Sequence, residues 1–236
     1  MSSPDSIRPL RLAVSQRVDR APGHGERRDA LAHDWYAVFD RWNAVALPVP
    51  NRGRFDPRWW DTIGIDAVVL TGGNTPDVLG ADPGAEGAPE RDATERALIA
   101  HARTRGLPVL GVCRGAQMLA SVLGARLRRV EPVGSHVATE HEITLAGGGR
   151  ARVNSFHDWQ IDPVDFPAEL CVVARAADGS VEAFVHEQEA LAGVVWHPER
   201  PGRVASRLDA LVRAALTGTA REEVESWTTP TSVPNA

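Results

Sequence analysis

The sequence predicts an α/β protein with a mostly parallel sheet flanked by helices and a small antiparallel extension. Three observations carry this expectation. Short apolar runs alternate with helix-spaced segments through the first half of the chain, the rhythm of βαβ units. At residues 108–117 an apolar run meets Gly111-Val112-Cys113-Arg114-Gly115, and Ala116, Leu119, Ala120 and Leu123 follow at helical spacing, closed by Gly124. Beyond a strand at 126–130 the rhythm breaks, and residues 136–145 and 151–156 read as antiparallel strands across Gly147-Gly148-Gly149.

The elements follow in order. Residues 1–8 form a loose lead-in. The run 10–15 is a strand buried on both faces, and Gln16-Arg17-Val18-Asp19 lies at its carboxyl end, where open α/β sheets place ligands. Leu31, Trp35, Val38 and Trp42 share one helical face, which predicts a helix over about 26–43. Strands follow at 45–49 and 66–70. Between them Asp56-Pro57, an N-cap and a first-turn proline, opens a short helix through Ile63. Residues 75–89, rich in Gly, Pro and Ala, form a loop beside the site and a candidate lid. A helix spans 91–105. Later strands are expected at 168–176, 180–186 and 192–196, and a closing amphipathic helix at 203–216. The reading is one domain over 8–216, followed by a polar tail over 217–236 that is either packed on the surface or disordered.

Bulk properties restrict function. At 236 residues and net charge −5 the chain can bury a full core and shows no basic stripe for nucleic acid and no run long enough to span a membrane. Its start lacks the plan of a signal peptide, and two distant cysteines make no disulfide framework, so a cytoplasmic location is expected. Cys171 reads as a buried strand residue. His136 and His141 are metal-ligand types, but the spacing is weak and no Cys or third His completes a set, so no metal is assigned.

The strand–turn–helix around Cys113 is the context of a nucleophile elbow. Glycines flanking the turn permit a strained tip, and a helix N-terminus favours a thiolate. A plain buried Cys is the alternative. Against it stands residues 191–199, an apolar strand ending in His197-Pro198-Glu199, which offers the base and the orienting carboxylate that a Cys nucleophile needs.

Gly-x-Cys-x-Gly-x-Gln together with Trp196-His197-Pro198-Glu199 resembles the class I glutamine amidotransferase superfamily. Within it, the chain is similar to free-standing γ-glutamyl hydrolases of the γ-glutamyl-γ-aminobutyrate hydrolase type. Leu70-Thr71-Gly72-Gly73-Asn74, residues 90–95 and Val153-Asn154-Ser155-Phe156-His157 agree in order and spacing. The resemblance implies a flavodoxin-like sheet and a catalytic triad of Cys113, His197 and Glu199. It implies an oxyanion site at the backbone N–H groups of Gly73 and Arg114, and an Arg91–Asp92 pair that braces the adjoining loop. It also implies glutamyl contacts from Gln117 and from the loop Phe156-His157-Asp158-Trp159. Asp158-Trp159 departs from the commoner hydrolase pattern; Asp158 either meets the substrate's α-ammonium or caps a turn.

The implied reaction is hydrolysis of a γ-glutamyl amide through a Cys thioester, with no metal or organic cofactor. Ser15-Gln16-Arg17, followed by Glu26-Arg27-Arg28-Asp29-Ala30-Leu31 and Trp35, is similar to a smaller branch that cleaves γ-glutamyl-CDP-amidate. Arg17, Arg27, Arg28 and Arg52 are candidates for its diphosphate, although in a chain without lysine a solvated arginine surface is the plainer explanation. The partner is thus a small γ-glutamyl substrate. A homodimer, or a synthase receiving ammonia from a glutaminase subunit, remains open, as does a silent binding protein.

Overall fold

A computed structural model describes residues 8–53, 56, 58–78, 80–132, 136–200 and 205–228. The lead-in before Arg8, Pro57, Arg203 and the tail beyond Thr228 lie outside the described residues. In chain order the elements are β1 (Leu10–Ser15), β2 (Arg17–Arg20), β3 (Arg27–Ala30), α1 (Asp34–Arg41), β4 (Ala44–Val49), α2 (Arg58–Ile63), β5 (Ala67–Leu70), α3 (Pro89–Arg105), β6 (Val109–Val112) and α4 (Arg114–Val122). The second half supplies β7 (Leu127–Arg129), β8 (Val137–Leu145), β9 (Arg150–Phe156), β10 (Trp159–Ile161), β11 (Leu170–Ala176), β12 (Val181–His186), β13 (Leu191–Val194), α5 (Ser206–Thr217) and α6 (Ala220–Thr228).

The main sheet runs β4-β1-β5-β6-β13-β12-β11-β8-β9. Pairing is parallel from β4 through β13 and antiparallel from there to β9. The anticipated parallel sheet with an antiparallel extension is what forms. Alternate residues of each parallel strand serve opposite faces. Leu12 and Val14 pack with Trp35, Val38, Phe39 and Trp42 of α1 and with Leu208, Leu211 and Val212 of α5. On the other face Ala13, Val68 and Leu70 meet Leu98 and Ile99 of α3 and Met118 and Leu119 of α4. A strand buried on both faces must be apolar throughout, which is why β5 and β6 read as unbroken hydrophobic runs.

Two elements differ from the sequence reading. The helix expected over 26–43 is confined to Asp34–Arg41; Arg27–Ala30 instead pairs antiparallel with Arg17–Arg20 in a separate ribbon. The apolar stripe of Trp35, Val38 and Trp42 is real, but residues 27–29 are exposed and had no core face to bury. Asp29 accepts hydrogen bonds from the backbone and side chain of Asn51, both 2.9 Å, which ties the ribbon to the sheet. Where a polar tail was expected, Ala220–Thr228 is helical, with Ala220 and Trp227 buried about two turns apart on one face and Val224 packed between them.

The elbow depends on Gly115. A Cβ there would lie 2.1 Å from the Leu70 carbonyl oxygen, backbone that cannot swing aside. Gly115→Ala is expected to cost at least about 1–3 kcal/mol by overpacking, measured by denaturant unfolding. An unchanged midpoint would show that β5 and α4 are not locked at this contact.

Candidate active site

β5, β6 and β13 are parallel neighbours, and each ends in one predicted motif: Thr71-Gly72-Gly73-Asn74, Cys113 and His197-Pro198-Glu199. The carboxyl edge of the sheet therefore gathers residues some 40 to 120 positions apart in sequence. Cys113 is the N-cap of α4, with φ 51° and ψ −112°, a conformation that L-residues rarely hold. Its N–H donates to the Val194 carbonyl at 2.8 Å, fixing the turn against β13. A Cβ on Gly72 would fall 2.8 Å from His197 Cε1 and 3.6 Å from Cys113 Cβ, so a bare backbone at position 72 leaves room for both side chains.

His197 Nδ1 lies 2.6 Å from Glu199 Oε1, and both residues are buried. That short contact places the ring proton on Nδ1 and leaves Nε2 buried without a hydrogen-bond partner, in a residue that lines one cavity with Cys113. Burial alone would raise the thiol. The His197 ring, and behind it His157, outweighs burial and holds Cys113 below the ordinary thiol range. Burial likewise opposes a charge on His197, yet the thiolate and Glu199 push it up to about 10. Each charge thus favours the other.

Asn154 braces the base. Its side-chain amide donates to the His197 carbonyl at 3.0 Å and accepts from the His197 N–H at 2.8 Å. Asn74 does the same for the ribbon, accepting from Val18 N–H at 2.8 Å and donating to Val18 O at 3.0 Å. Both asparagines sit in motifs visible in the sequence, but nothing in spacing reveals that an amide will stand in for a missing strand partner.

The loop after β5 is held by Arg91. Its guanidinium donates to the carbonyls of Thr71 (2.6 Å), Gly72 (3.0 Å) and Gly73 (2.6 Å). In a planar trans peptide, C=O and the next N–H point in opposite directions. Turning the Gly72 carbonyl toward Arg91 thus turns the Gly73 N–H away from it, the orientation an oxyanion donor would need. Arg91 Nε also bonds Glu95 Oε1 at 2.9 Å, and Arg114 bonds both Glu95 and Asp92. Asp92 in turn accepts from the Asp77 N–H at 3.1 Å. The brace anticipated for Arg91 and Asp92 is therefore buried, but its ion pairs run from Arg91 to Glu95 and from Asp92 to Arg114, which was singled out for its backbone and enters with its side chain. Burial and the neighbouring Arg114 lower Arg91 to about 10, and burial raises Asp92.

Among the predicted substrate contacts, Gln117 donates its amide to the Trp159 carbonyl at 2.6 Å, which His157 Nδ1 also meets at 2.9 Å. Phe156 stands edge-on to His197 at 5.5 Å, and Arg200 covers its ring at 3.5 Å. Asp158 is exposed, and its carbonyl accepts from Val130 N–H at 2.9 Å. A cavity of about 210 Å³ is lined by Cys113, Gly73, His197, Trp35, Arg17 and Arg200, among others. A second, of about 220 Å³, shares Arg17 and includes Arg20, Arg27, Asp19 and Glu86. Arg27 pairs there with Glu90, whereas Arg28 is exposed and pairs with Glu26 on the ribbon. Trp35 and Arg200 were not anticipated as lining residues.

One expectation about histidines is corrected. No third His was found near His136 and His141 in sequence, but folding brings His157 and Glu182 to them.

Two outcomes test this geometry. Iodoacetamide alkylation of Cys113 should slow less between about pH 8 and about pH 6 than that of an ordinary thiol, which slows roughly 80-fold. Peptide mass spectrometry separates this site from Cys171, and a slope as steep as the free thiol's would show that His197 does not hold the thiol low. Arg91→Met should cost about 3–5 kcal/mol in denaturant unfolding, because Glu95 loses one of its buried partners; a cost below about 1 kcal/mol would show the brace to be dispensable.

Comparison with known proteins places this arrangement. The γ-glutamyl-CDP-amidate hydrolase of Campylobacter jejuni is 31% identical over 196 residues, covering 80% of this chain and 90% of that protein. The γ-glutamyl-γ-aminobutyrate hydrolase of Escherichia coli O157:H7 is 35% identical over 147 residues, 51% of this chain and 56% of that protein. A solved glutamine amidotransferase from Thermotoga maritima superposes with a TM-score of 0.59 at 19% identity, covering 93% of each chain, a likeness of fold. The sequence model of the peptidase C26 family matches residues 12–199, and the chain belongs to that family.

Proposed function

We propose that this protein hydrolyses a γ-glutamyl amide bond, with Cys113 as nucleophile, His197 as acid and base, and Glu199 as the group that orients it. The observation that carries the reading is the strained Cys113 at the tip of the elbow, lining one cavity with a histidine that Glu199 holds at 2.6 Å. The thiolate attacks the γ-carbonyl, and the carbonyl oxygen gathers negative charge against the N–H groups of Gly73 and Arg114. As the tetrahedral species collapses, His197 passes its proton to the departing nitrogen and leaves a γ-glutamyl thioester. Water then attacks the thioester while His197 takes its proton. The thiolate leaves, and glutamate is released. Gln117 and the Phe156–Trp159 loop face the glutamyl portion in this reading.

For the leaving group, the favoured candidate is a phosphoramidate of the γ-glutamyl-CDP-amidate kind. Arg17 packs against Gly73, with its guanidinium 3.3 Å from where a Cβ would stand, and it borders both cavities. A substrate with its γ-carbonyl at Cys113 could lay an anionic extension along Arg17 toward Arg20 and Arg27, where guanidinium groups suit phosphate. The similarity to the Campylobacter jejuni hydrolase over most of both chains supports the same choice.

Glutamate release from glutamine, γ-glutamyl-γ-aminobutyrate, a γ-glutamyl dipeptide and γ-glutamyl-CDP-amidate tests both parts. Rapid turnover of γ-glutamyl-CDP-amidate by the chain alone is expected. Cys113→Ala should lower it by roughly 10⁴-fold or more. Arg17→Ala should raise KM for this substrate by about 10- to 100-fold while changing a γ-glutamyl dipeptide little. Turnover of glutamine alone would favour a glutaminase subunit, and full activity of Cys113→Ala would exclude the mechanism.

A further inference from the structure

A second cluster lies beside the site and shares with it only His157, from the loop that faces the glutamyl portion in the proposed function. His136 precedes β8, His141 lies within β8, His157 follows β9 and Glu182 projects from β12. The Glu182 side chain is 1% exposed, and neither of its carboxylate oxygens accepts a hydrogen bond. Three imidazole nitrogens surround its Oε1: His141 Nε2 at 3.3 Å, His157 Nε2 at 3.7 Å and His136 Nδ1 at 4.0 Å. N–H···O hydrogen bonds span about 2.7–3.2 Å, so the His157 and His136 gaps are long for direct bonds and the His141 gap lies at the upper limit. Ligand atoms around a tetrahedral zinc, with bonds of about 2.0–2.1 Å, stand about 3.3 Å apart. Measured from Glu182 Oε1, the three nitrogens are within less than an ångström of that spacing, and one ligand atom each of His136, His157 and Glu182 lies within 4.8 Å of the others.

The outer nitrogens agree. His157 Nδ1 lies 2.9 Å from the Trp159 carbonyl, an acceptor that calls for a proton on Nδ1, so Nε2 is the nitrogen that faces Glu182. His136 Nε2 faces Asp178 Oδ2 at 3.6 Å, which leaves its Nδ1 for the cluster. An acceptor behind the His157 ring and a carboxylate near the outer nitrogen of His136 approach the arrangement that orients metal-bound histidines, whereas His141 Nδ1 has no such partner. An imidazole lone pair opposed to a carboxylate oxygen requires a cation between them. A proton bridges one such gap; a metal ion bridges all of them.

We propose that His136, His157 and Glu182, with His141 as fourth ligand, form a binding site for a divalent transition-metal ion of the zinc class. Nitrogen-rich donors exclude a preference for magnesium or calcium. The ion's place is structural: it would fasten the β8–β9 hairpin to β12 and fix His157. Through the shared Trp159 carbonyl it would fix the Gln117 amide as well. It contributes no atom to the reaction at Cys113.

The test uses untagged, full-length protein carrying Cys113→Ala, so that the thiolate cannot bind the metal. After chelation and dialysis it is titrated with zinc chloride by calorimetry, and with cobalt chloride to read the visible absorption of four-coordinate cobalt. One equivalent should bind. Glu182→Gln or His136→Gln added to this background should weaken binding by at least about tenfold, and Asp178→Asn by about 10- to 100-fold. Zinc should raise the melting midpoint of the Cys113→Ala protein and not that of the ligand variants. Should Glu182→Gln fail to fold, His141→Gln and Asp178→Asn give the same reading. Absence of stoichiometric binding, affinity unmoved by these substitutions, or binding only when Cys113 is intact would each overturn the proposal. Because binding is read in a protein without the nucleophile, its failure is separable from failure of the hydrolase reading.

Discussion

The buried ion network of Arg91, Glu95, Arg114 and Asp92 is the constraint on which the rest of the site depends. Burying four charges is costly, and each must be met by opposite charge and by hydrogen bonds. Here the compensation doubles as positioning. Arg91 spends its remaining donors on three successive carbonyls of the Gly-Gly loop, while Arg114 is the residue that follows the strained cysteine. Two loops from different strands are thereby held in one frame from beneath. Ser15 extends the frame to β1, since its hydroxyl accepts from Thr71 N–H and its carbonyl from the Thr71 hydroxyl, both at 2.9 Å.

Above that frame, electrostatics rather than solvent decides protonation. Cys113 and His197 are both buried, which disfavours either charge alone; together they stabilise each other. Glu199 supplies the second favourable contact to the ring, and Asn154 holds the backbone that carries it. The same logic governs the edge of the site. Arg17 is pinned beside Gly73 by a ribbon that Asn74 and Asp29 fasten to the sheet, so a guanidinium is presented to the cavity at a defined place.

How legible this was depended on the range of the interaction concerned. The elbow and the His-Pro-Glu strand end could be read directly, because each is a local backbone event with its own residue requirements: bare glycines at a crowded turn and a proline after a histidine. The ribbon was misread for an equally local reason. Residues 27–31 continue the helical stripe of Trp35, Val38 and Trp42 on paper, but residues 27–29 are exposed, and pairing with Arg17–Arg20 satisfies their backbone instead. In α6, the apolar spacing of Ala220, Val224 and Trp227 was present but diluted by a run of charged and polar residues.

By itself the sequence determined the layering of the sheet, the cysteine and histidine at strand ends and the family, because those follow from periodicity and from short motifs with steric causes. Only the tertiary structure decided which charges are buried together, that Arg114 contributes its side chain, that two asparagines clasp backbone, and that His157 and Glu182 join His136 and His141. Such partners are separated by 19 to 46 residues or more, and no local pattern encodes their meeting. Their proximity is set by the order of strands in the sheet, a global outcome of burying both of its faces at once.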